Sequence, residues 1–278
     1  MMVSDITVII LTKNEEKNIE DCLKSLKNFA KRIVIVDSGS TDKTIEIANK
    51  YNVDVYFHDF ENYAKQFNWG IDNTNISTHW TMRLDADERL TPELCLELEN
   101  LMNINKNTTI NGITMEAWLY FMGKKIKYGG PKKRKLMVFK TGIGRIEDRN
   151  MDEHTILKKG DSIAAKEKFL HYDFKNLTFF IDKLNWYASR EVLDYFDYIN
   201  QDLDENLKDK AILSTRKKKF GFYYKFPMFI RSWLLFIYFY IFRLGFLDGK
   251  EGFIYHYLYQ RWYRMLVDAK IYEKIQKK

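Results

Sequence analysis

Three carboxylates stand within four positions in the segment HWTMRLDADERL, residues 79 to 90. The apolar run before them predicts a buried strand, and Asp85, Asp87 and Glu88 follow at its end. Alternate residues at a strand end can point toward one place, and paired carboxylates suit Mg²⁺ or Mn²⁺. A cation would relieve the repulsion between Asp85 and Asp87 and attract a diphosphate. The alternative is a solvated acidic loop that caps the next helix, and the short motif alone does not decide between the two.

The elements that precede these carboxylates alternate between strand and helix. Runs rich in β-branched residues predict strands at 5–11, 32–37 and 53–57, with helical apolar periodicity in between. Short connections in such an alternation imply right-handed crossovers and a mostly parallel, Rossmann-like α/β sheet. Ligands bind outside the carboxyl ends of such strands. Three polar clusters, TKNEE, DSGSTD and DADE, follow strands here, so one site can collect all three.

The remaining chain changes character twice. A helix is expected from Thr91, which precedes Pro92 in an N-cap arrangement. Residues 110–160 alternate and are rich in turns, which predicts strands mixed with loops. From residue 176 onward the pattern is helical. We therefore expect a Rossmann-like half at 1–105, a second half of the same α/β domain at 106–175, and a helical region at 176–278.

Composition and charge narrow the function classes. The 278 residues include 45 Lys and Arg against 38 Asp and Glu, a net charge of +7 that favours an acidic partner. The chain has no glycine-rich dinucleotide fingerprint or P-loop, which argues against an oxidoreductase and a kinase. It also has none of the common nucleic-acid-binding signatures, so we expect no nucleic-acid partner. Cys22 and Cys95 lack metal-ligand spacing and are expected to be buried thiols in a reducing cytosol.

The most apolar stretch of the chain is residues 220–247, FGFYYKFPMFIRSWLLFIYFYIFRLGFL. Its uninterrupted part, 232–242, is about half of the roughly 20 residues that a membrane-spanning helix needs. Basic residues at 216–219 and at Lys225 precede it, and Tyr and Trp are interleaved, a pattern typical of an element in a membrane interface. The alternative is a core helix that covers the sheet. We expect peripheral association with the inner, cytoplasmic face of the cell membrane.

Three segments, VIILTKNEE, IVIVDSGSTDKTIEIA and RLDADERLTPEL, in this order and spacing, resemble the family 2 glycosyltransferases. The resemblance covers residues 5 to about 100 in detail. The later segments GGPKKRKLMVFKTGIGRIEDRNMDEH, LHYDF and GFLDGKEGF resemble the bacterial branch that builds lipopolysaccharide core and other surface polysaccharides. This implies a GT-A α/β domain and inverting transfer of a sugar from a nucleoside diphosphate sugar, UDP first, to a glycan or lipid-linked acceptor.

The resemblance also assigns residues to roles. It places the nucleotide against three loops and one helix: Thr12, Asn14, Glu15, Asp37, Ser38, Gly39, Ser40, Asp42, Lys65, Asn68 and Asp85. It gives a divalent cation, Mg²⁺ or Mn²⁺, to Asp87 and Asp85, with His171 as a further candidate ligand.

An inverting transfer needs a carboxylate that takes the proton of the acceptor hydroxyl. The candidate lies in NMDEH, where relatives often carry a His-Glu pair, so Glu153 ranks first and Asp152 second. Glu147 and Asp148 are further possibilities. His154 is either structural or functional, as a further metal ligand or as a contact of the diphosphate. The basic loop Lys132 to Lys135 is either a phosphate contact or a solvated surface.

Two other functions fit the sequence less well. A nucleotidyltransferase would need a glycine-rich, arginine-containing loop after the first strand, and TKNEEKN contains neither residue. A catalytically inactive nucleotide-binding or membrane-scaffold relative would be expected to lose Asp85, Asp87 or the carboxylates of MDEH. This chain keeps them, which favours the enzyme.

Overall fold

The computed structural model describes residues 3–130, 134–147, 154–199 and 221–277. They fall into two compact units, one of residues 1–119 with 132–173 and the other of residues 120–131 with 174–278. Asp148, Asp152, Glu153, Lys132 and Lys133 lie outside the described residues, as do the basic residues at 216–219. The expectations for these positions therefore stay predictions.

The first unit begins with the expected alternation of strand and helix. Its strands are β1 (Ser4–Thr12), β2 (Ala30–Asp37), β3 (Asp54–Phe57) and β4 (Trp80–Asp85), and its helices are α1 (Ile19–Leu26), α2 (Thr44–Ala48) and α3 (Tyr63–Asn73). The four strands pair in the order β3, β2, β1, β4, all parallel. The predicted α/β fold is confirmed, and this half is a parallel sheet.

The second half of the first unit is mixed rather than parallel. After β5 (Glu88–Arg89) and α4 (Pro92–Ile104) come β6 (Ile110–Phe121), β8 (Arg134–Lys140), β9 (Gly144–Ile146), β10 (Thr155–Leu157) and β11 (Asp161–His171). The sheet continues from β4 through β8, β6 and β11 to β5. Strands β6 and β11 are parallel, whereas the pairings of β4 with β8, β6 with β8 and β11 with β5 are antiparallel. Strands β9 and β10 form a separate antiparallel pair.

Strand β1 is buried on both faces, as its continuous apolar run predicts. Val8 and Ile10 lie in one cluster with residues of α1 and α4, whereas Ile9 lies in another with Phe67 of α3. Val8, Ile9 and Ile10 are completely buried. They lie in two different clusters because alternate side chains of a strand point to opposite faces of the sheet. The two free cysteines are buried in the first of these clusters. The sheet thus forms a rigid support between two helical layers.

The second unit is mostly helical, as the sequence pattern after residue 176 predicts. After β7 (Lys124–Ile126) its helices are α5 (Leu177–Ile199), α6 (Ile230–Ile237), α7 (Gly249–His256) and α8 (Tyr263–Gln276). Helix α6 continues as a π-helical turn through Phe242, and a second such turn joins α7 to α8. Buried side chains of α5 and α8, including Leu184, Val192, Val267 and Ile271, form its interior.

Among the described residues, no single helix has the length and apolar composition needed to cross a membrane. The helices Ile230–Phe242 and Gly245–Gln276 meet these requirements as a pair, with a bend of 71° between them.

Candidate functional site

The register of the parallel strands places the three polar clusters at one edge of the sheet. Thr12, the last residue of β1, pairs with Asp37, the last residue of β2. On the other side of β1, Leu11 pairs with Asp85 at the end of β4. These clusters therefore begin at nearly the same level beside one another, where ligands of parallel sheets bind.

Asp37 organises the loop after β2. Its Oδ2 accepts hydrogen bonds from the Thr12 hydroxyl at 2.7 Å and the Ser40 hydroxyl at 2.6 Å. Its Oδ1 accepts from the backbone N–H groups of Gly39 and Ser40, both at 2.8 Å. The side chain is nearly buried. In this structure both carboxylate oxygens bind the protein's own loops, so Asp37 shapes the predicted nucleotide pocket.

The loop after β1 is bonded to the loop after β2 over several residues. The N–H of Asn14 donates to Ser40 Oγ at 2.8 Å, and Asn14 Oδ1 accepts from the N–H of Thr41 at 2.8 Å. The N–H of Glu15 donates to Thr44 Oγ1 at 2.7 Å. Asn14 lies in the left-handed region at φ 56°, which asparagine tolerates better than most residues. Backbone and side chains together hold the two loops in a fixed arrangement.

Further bonds join the same two loops at their exposed side. Lys13 Nζ donates to the carbonyls of Ser38 and Gly39, at 2.8 and 2.6 Å. Asp42 accepts from the N–H of Glu16 at 3.1 Å and from that of Thr44 at 3.0 Å. The predicted nucleotide residues of the first two loops are therefore neighbours in space.

Asp85 accepts a hydrogen bond from the hydroxyl of Tyr63, at 2.5 Å from Oδ1. Burial raises the pKa of Tyr63 well above its usual range, although the nearby Arg83 opposes this, so the phenol keeps its proton and acts as a donor. The guanidinium of Arg83 lies over the Tyr63 ring at 4.7 Å from its centroid. Helix α3 thus positions one carboxylate of the DADE segment.

Glu88 plays a structural part in the same segment. It is fully buried, and its Oε2 accepts from the N–H of Asp85 at 3.0 Å. Lys135 Nζ lies 3.5 Å from the other oxygen. Burial, together with the charge of Asp85, raises the pKa of the Glu88 carboxyl. Glu88 therefore holds the turn from within and is not part of the exposed site.

Asp87 meets two residues from the end of β11. Strands β5 and β11 are antiparallel, with Glu88 opposite His171, and the Tyr172 N–H donates to the Asp87 carbonyl at 2.8 Å. Ligand atoms of Asp87, His171 and Asp173 all lie within 4.8 Å of one another. Two carboxylates and an imidazole are a donor set that fits Mn²⁺ or Mg²⁺. This is the group among the described residues that could hold a metal ion.

The charge of His171 explains how the carboxylates are tolerated here. Burial opposes a charged imidazole, but the hydrogen bond with Asp87 and the charges of Asp87, Glu88 and Asp173 together outweigh it and raise the pKa of His171 to about 9. Asp87 Oδ2 lies 3.5 Å from Nε2. A charged His171 then balances Asp87. A cation held through Nε2 would have to displace that proton, because a histidine binds metal in its neutral form.

The other residues assigned from the resemblance are held by contacts of their own. Lys65 pairs with Glu61 at 2.5 Å on the exposed side of α3. Asn68 exchanges two hydrogen bonds with the backbone of Ile146, at 2.8 and 3.0 Å, and so joins α3 to β9. Of the basic loop, Arg134 pairs with Glu116 at 3.0 Å. Neither Lys65 nor Asn68 belongs to the group around Asp87.

Sequence reasoning missed Asp173 and Tyr63. Asp173 stands two residues after His171 in LHYDF, and this spacing after a predicted strand was the available signal. Tyr63 gave no signal, since only the tertiary fold brings the first residue of α3 to the end of β4. His154, the other candidate histidine, has a buried Nδ1 that finds no hydrogen-bond partner among the residues that the structure describes.

Comparison with known proteins identifies the family. Residues 7–152, more than half of the chain, match the model of glycosyl transferase family 2. The chain belongs to this family. The match runs from β1 past β9, so it includes the loops after β1, β2 and β4. The resemblance read from the sequence is therefore confirmed, and the three strand-end clusters of this family 2 protein lie in the family's own domain.

Individual proteins are similar to this chain over part or all of its length. An uncharacterized glycosyltransferase of Rickettsia bellii is 36% identical over 99 residues, which are 36% of this chain and a third of that protein's length. The lipopolysaccharide core biosynthesis glycosyltransferase LpsC of Rhizobium meliloti is 28% identical over 178 residues, 60% of this chain and 63% of that protein. The crystal structure of S. aureus TarS 1-349 with UDP-GlcNAc is 16% identical, with a TM-score of 0.49 and coverage of 100% and 92%.

The candidate site of this family 2 protein has two parts, a polar loop frame and a group of possible metal ligands. The loops after β1 and β2 present hydroxyls, carboxylates and backbone groups in a fixed frame. The group of Asp87, His171 and Asp173 presents oxygen and nitrogen ligands beside it. Together they suit a polar ligand that carries a metal-bound anionic group.

Proposed function

We propose that this protein transfers a sugar from a nucleoside diphosphate sugar, with UDP the first candidate, to a hydroxyl group of a glycan acceptor. The observation that carries the proposal is the meeting of Asp87 with His171 and Asp173 at the strand ends of a family 2 domain. A purely structural acidic loop would not need ligand atoms converging from two separate segments.

We assign the nucleoside to the frame made by the first two loops. Thr12 and Ser40 bind the Asp37 carboxylate, and Asn14 ties the loops together, so a ligand would enter a pocket that is already ordered. Preordering lowers the entropy that binding costs. Lys65 and Asn68 remain weaker candidates for the same ligand, because each already binds a protein group.

We assign the divalent cation to Asp87, Asp173 and His171, with Asp85 beside them. When bound, Mg²⁺ or Mn²⁺ would stabilise the negative charge of the leaving diphosphate. The protein's contribution is the position of the ligands: the turn before β5 presents Asp87, β11 ends with His171, and Asp173 follows two residues later. Tyr63 holds the Asp85 carboxylate by its hydroxyl.

We propose an inverting displacement. The acceptor oxygen forms a bond to the anomeric carbon while the bond from that carbon to the diphosphate breaks, and a carboxylate takes the acceptor's proton. Glu153 is the first candidate for this base and Asp152 the second. Both lie outside the described residues, and the resemblance supports these roles.

The acceptor class is proposed from the similarity to the bacterial polysaccharide branch. A relative named for lipopolysaccharide core biosynthesis shares 28% identity with 60% of this chain. A lipid-linked or lipopolysaccharide-core-type glycan is therefore our candidate. Acceptors of this kind lie at a membrane, and we propose that the protein works at its cytoplasmic face.

The test is calorimetric titration of the protein with UDP, GDP and dTDP, each in Mn²⁺ and in EDTA. We expect one nucleotide to bind only with metal. Asp87→Asn and Asp173→Asn should each weaken that binding at least about tenfold, the lower end of what perturbed metal sites lose. The matched control is Asp161→Asn, which removes an exposed carboxylate at the start of the same strand β11. This variant should bind the nucleotide as tightly as the wild type does. No binding under any condition would refute the proposal.

The base is tested separately from binding. Glu153→Gln and Asp152→Asn should leave metal-dependent nucleotide binding intact, because a base acts on the acceptor and not on the nucleotide. Loss of nucleotide binding in either variant would contradict its proposed role as the base.

A further inference from the structure

Helix α6 and the π-helical turn after it turn apolar side chains toward the outside of the molecule. Six residues follow helical spacing along one face and are exposed by 37 to 55% of their surface: Ile230, Trp233, Leu234, Ile237, Tyr238 and Ile241. We call this face the outer stripe. A helix on the surface of a globular protein normally places its polar residues there. The outer stripe carries none but the Tyr238 hydroxyl and the Trp233 indole.

The opposite face of α6 is buried and begins with two polar residues, followed one turn later by Phe236. Arg231 is 2% exposed and Ser232 is completely buried. Arg231 donates from Nε to Asp268 of α8 at 2.8 Å, and Asp268 also accepts from the N–H of Phe229 at 2.8 Å. Arg261 donates to the Ser232 hydroxyl at 3.0 Å. These bonds fix the rotation of α6 about its own axis. The outer stripe therefore faces outward.

Exposed apolar surface extends beyond the outer stripe into the bend that follows it. Phe242 is 73% exposed and Leu247 52%, and Phe222 before the helix is 68% exposed. Contiguous apolar surface of this extent marks an interaction site on a protein.

The charge of the same segment indicates the partner. Between Gly221 and Leu247 the chain has three charged residues, Lys225, Arg231 and Arg243, and all are basic. Arg231 is used internally by Asp268, which leaves Lys225 and Arg243 at the two ends of the helix. An apolar face with interleaved Trp and Tyr and basic residues at its ends fits an anionic lipid surface.

We propose that the outer stripe docks this protein onto a bilayer that contains anionic lipid, with α6 lying in the interface. From Ile230 to Phe242 the helix has 13 residues, about 20 Å at its rise per residue. That is shorter than the roughly 30 Å of a bilayer's hydrocarbon core. The helix therefore lies along the surface, and its tryptophan and tyrosine sit at the level of the headgroups.

The inference does not depend on the sugar-transfer reaction. It concerns the second unit, and its test uses neither nucleotide nor acceptor, so its failure and that of the proposed function are distinguishable.

The experiment is flotation of the full chain with vesicles of phosphatidylcholine, with and without about 30% phosphatidylglycerol. The anionic lipid tests the electrostatic contribution of the basic residues to binding. The variant Leu234→Gln/Ile241→Gln removes two residues of the outer stripe. Its matched control, Leu96→Gln/Ile104→Gln, removes from α4 one leucine and one isoleucine that are at least as exposed as those of the outer stripe. Circular dichroism and gel filtration check that both variants are folded.

We expect the wild type and the control to bind the anionic vesicles, and the outer-stripe variant to bind them at least about tenfold more weakly. Lipids brominated on the acyl chain provide a second measurement. They should quench the wild type more than Trp233→Phe, because the ring of Trp233 lies in the interface.

Three results would overturn the inference. The first is that the wild type binds neither kind of vesicle. The second is that the outer-stripe variant and the control bind equally well. The third is that bromolipid quenches the tryptophan fluorescence of the wild type and of Trp233→Phe to the same extent. Self-association of the wild type that the outer-stripe variant loses, without vesicle binding, would assign this face to a second copy of the chain instead.

Discussion

Asp85, Asp87 and Glu88 are neighbours in sequence, yet each meets a different environment. Tyr63 donates to Asp85, His171 lies against Asp87, and Glu88 turns inward to the backbone of Asp85. Cations and donors from distant segments separate the three negative charges. The repulsion expected from the sequence is thereby removed without all three side chains sharing one ligand.

Glu88 should matter for stability more than an exposed glutamate does. Glu88→Ala leaves the N–H of Asp85 without its acceptor, and an unsatisfied buried donor costs about 1–3 kcal/mol. Glu88→Gln should cost less, because an amide oxygen can still accept that hydrogen bond. Urea denaturation measures both, with Glu93→Ala on the exposed side of α4 as the control.

Equal midpoints for Glu88→Ala and Glu93→Ala would show that Glu88 does not hold the turn. A larger loss for Glu88→Gln than for Glu88→Ala would also contradict this role.

At the scale of elements, α3 brings side chains to two strands. Its first residue, Tyr63, binds Asp85 at the end of β4, and Asn68, one and a half turns later, binds the backbone of β9. Arg145 of β9 adds a bidentate pair with Asp72, at 2.7 and 2.6 Å. Where α3 begins therefore decides where the Tyr63 hydroxyl lies.

The start of α3 is set by Asn62. Its side chain accepts from the N–H of Lys65 at 2.8 Å, in the extended conformation typical of an N-cap. Asn62→Ala should destabilise the protein by about 1 kcal/mol, whereas Asn62→Asp, which keeps the acceptor, should cost much less. Thermal or urea denaturation measures the difference. The control is Asn73→Ala at the exposed end of the same helix.

The opposite outcome is an equal loss of stability in Asn62→Ala, Asn62→Asp and Asn73→Ala. That result would contradict the N-cap role of Asn62.

At the scale of the whole molecule, buried charge organises the helical unit. Arg231 and Asp268 form an ion pair with almost no exposure. Nearby, Glu191 of α5 binds the hydroxyls of Tyr224 and Tyr263 and the guanidinium of Arg264. This unit thus holds buried polar groups beside its apolar interior, while further apolar side chains are exposed on part of its surface.

Breaking one side of the buried pair should be costly. Asp268→Asn leaves the charge of Arg231 uncompensated and should destabilise the helical unit by about 3–5 kcal/mol. The double variant Arg231→Met/Asp268→Leu removes both charges and should recover much of that loss. Hydrogen exchange of residues 230–242 and 263–276 reports the change where it arises.

A loss below about 1 kcal/mol for Asp268→Asn would show that the pair contributes little. A double variant less stable than Asp268→Asn would show that the pair is needed for more than mutual charge compensation.

The sequence by itself determined the family, the α/β class and the elements of the first half. Strands buried on both faces must be continuous apolar runs, and helices packed on them must repeat every three or four residues, so both leave local patterns. The motifs TKNEE, DSGSTD and DADE directly follow such apolar runs, so their positions at strand ends can also be read from the local pattern. The parallel order of β1 to β4 then follows from short connections.

Only the tertiary structure decided which side chains meet. Asp173 joins Asp87 because β5 and β11 are antiparallel partners. Tyr63 reaches Asp85 because α3 packs against β1, the strand that pairs with β4. Pairings between residues about 20 to 90 positions apart leave no periodic signal in the chain. The outward face of α6 was likewise undecided, since an apolar helix reads alike whether it faces a core or lipid. Its rotation is set by the bonds of Arg231 and Ser232 to residues about 30 to 40 positions later.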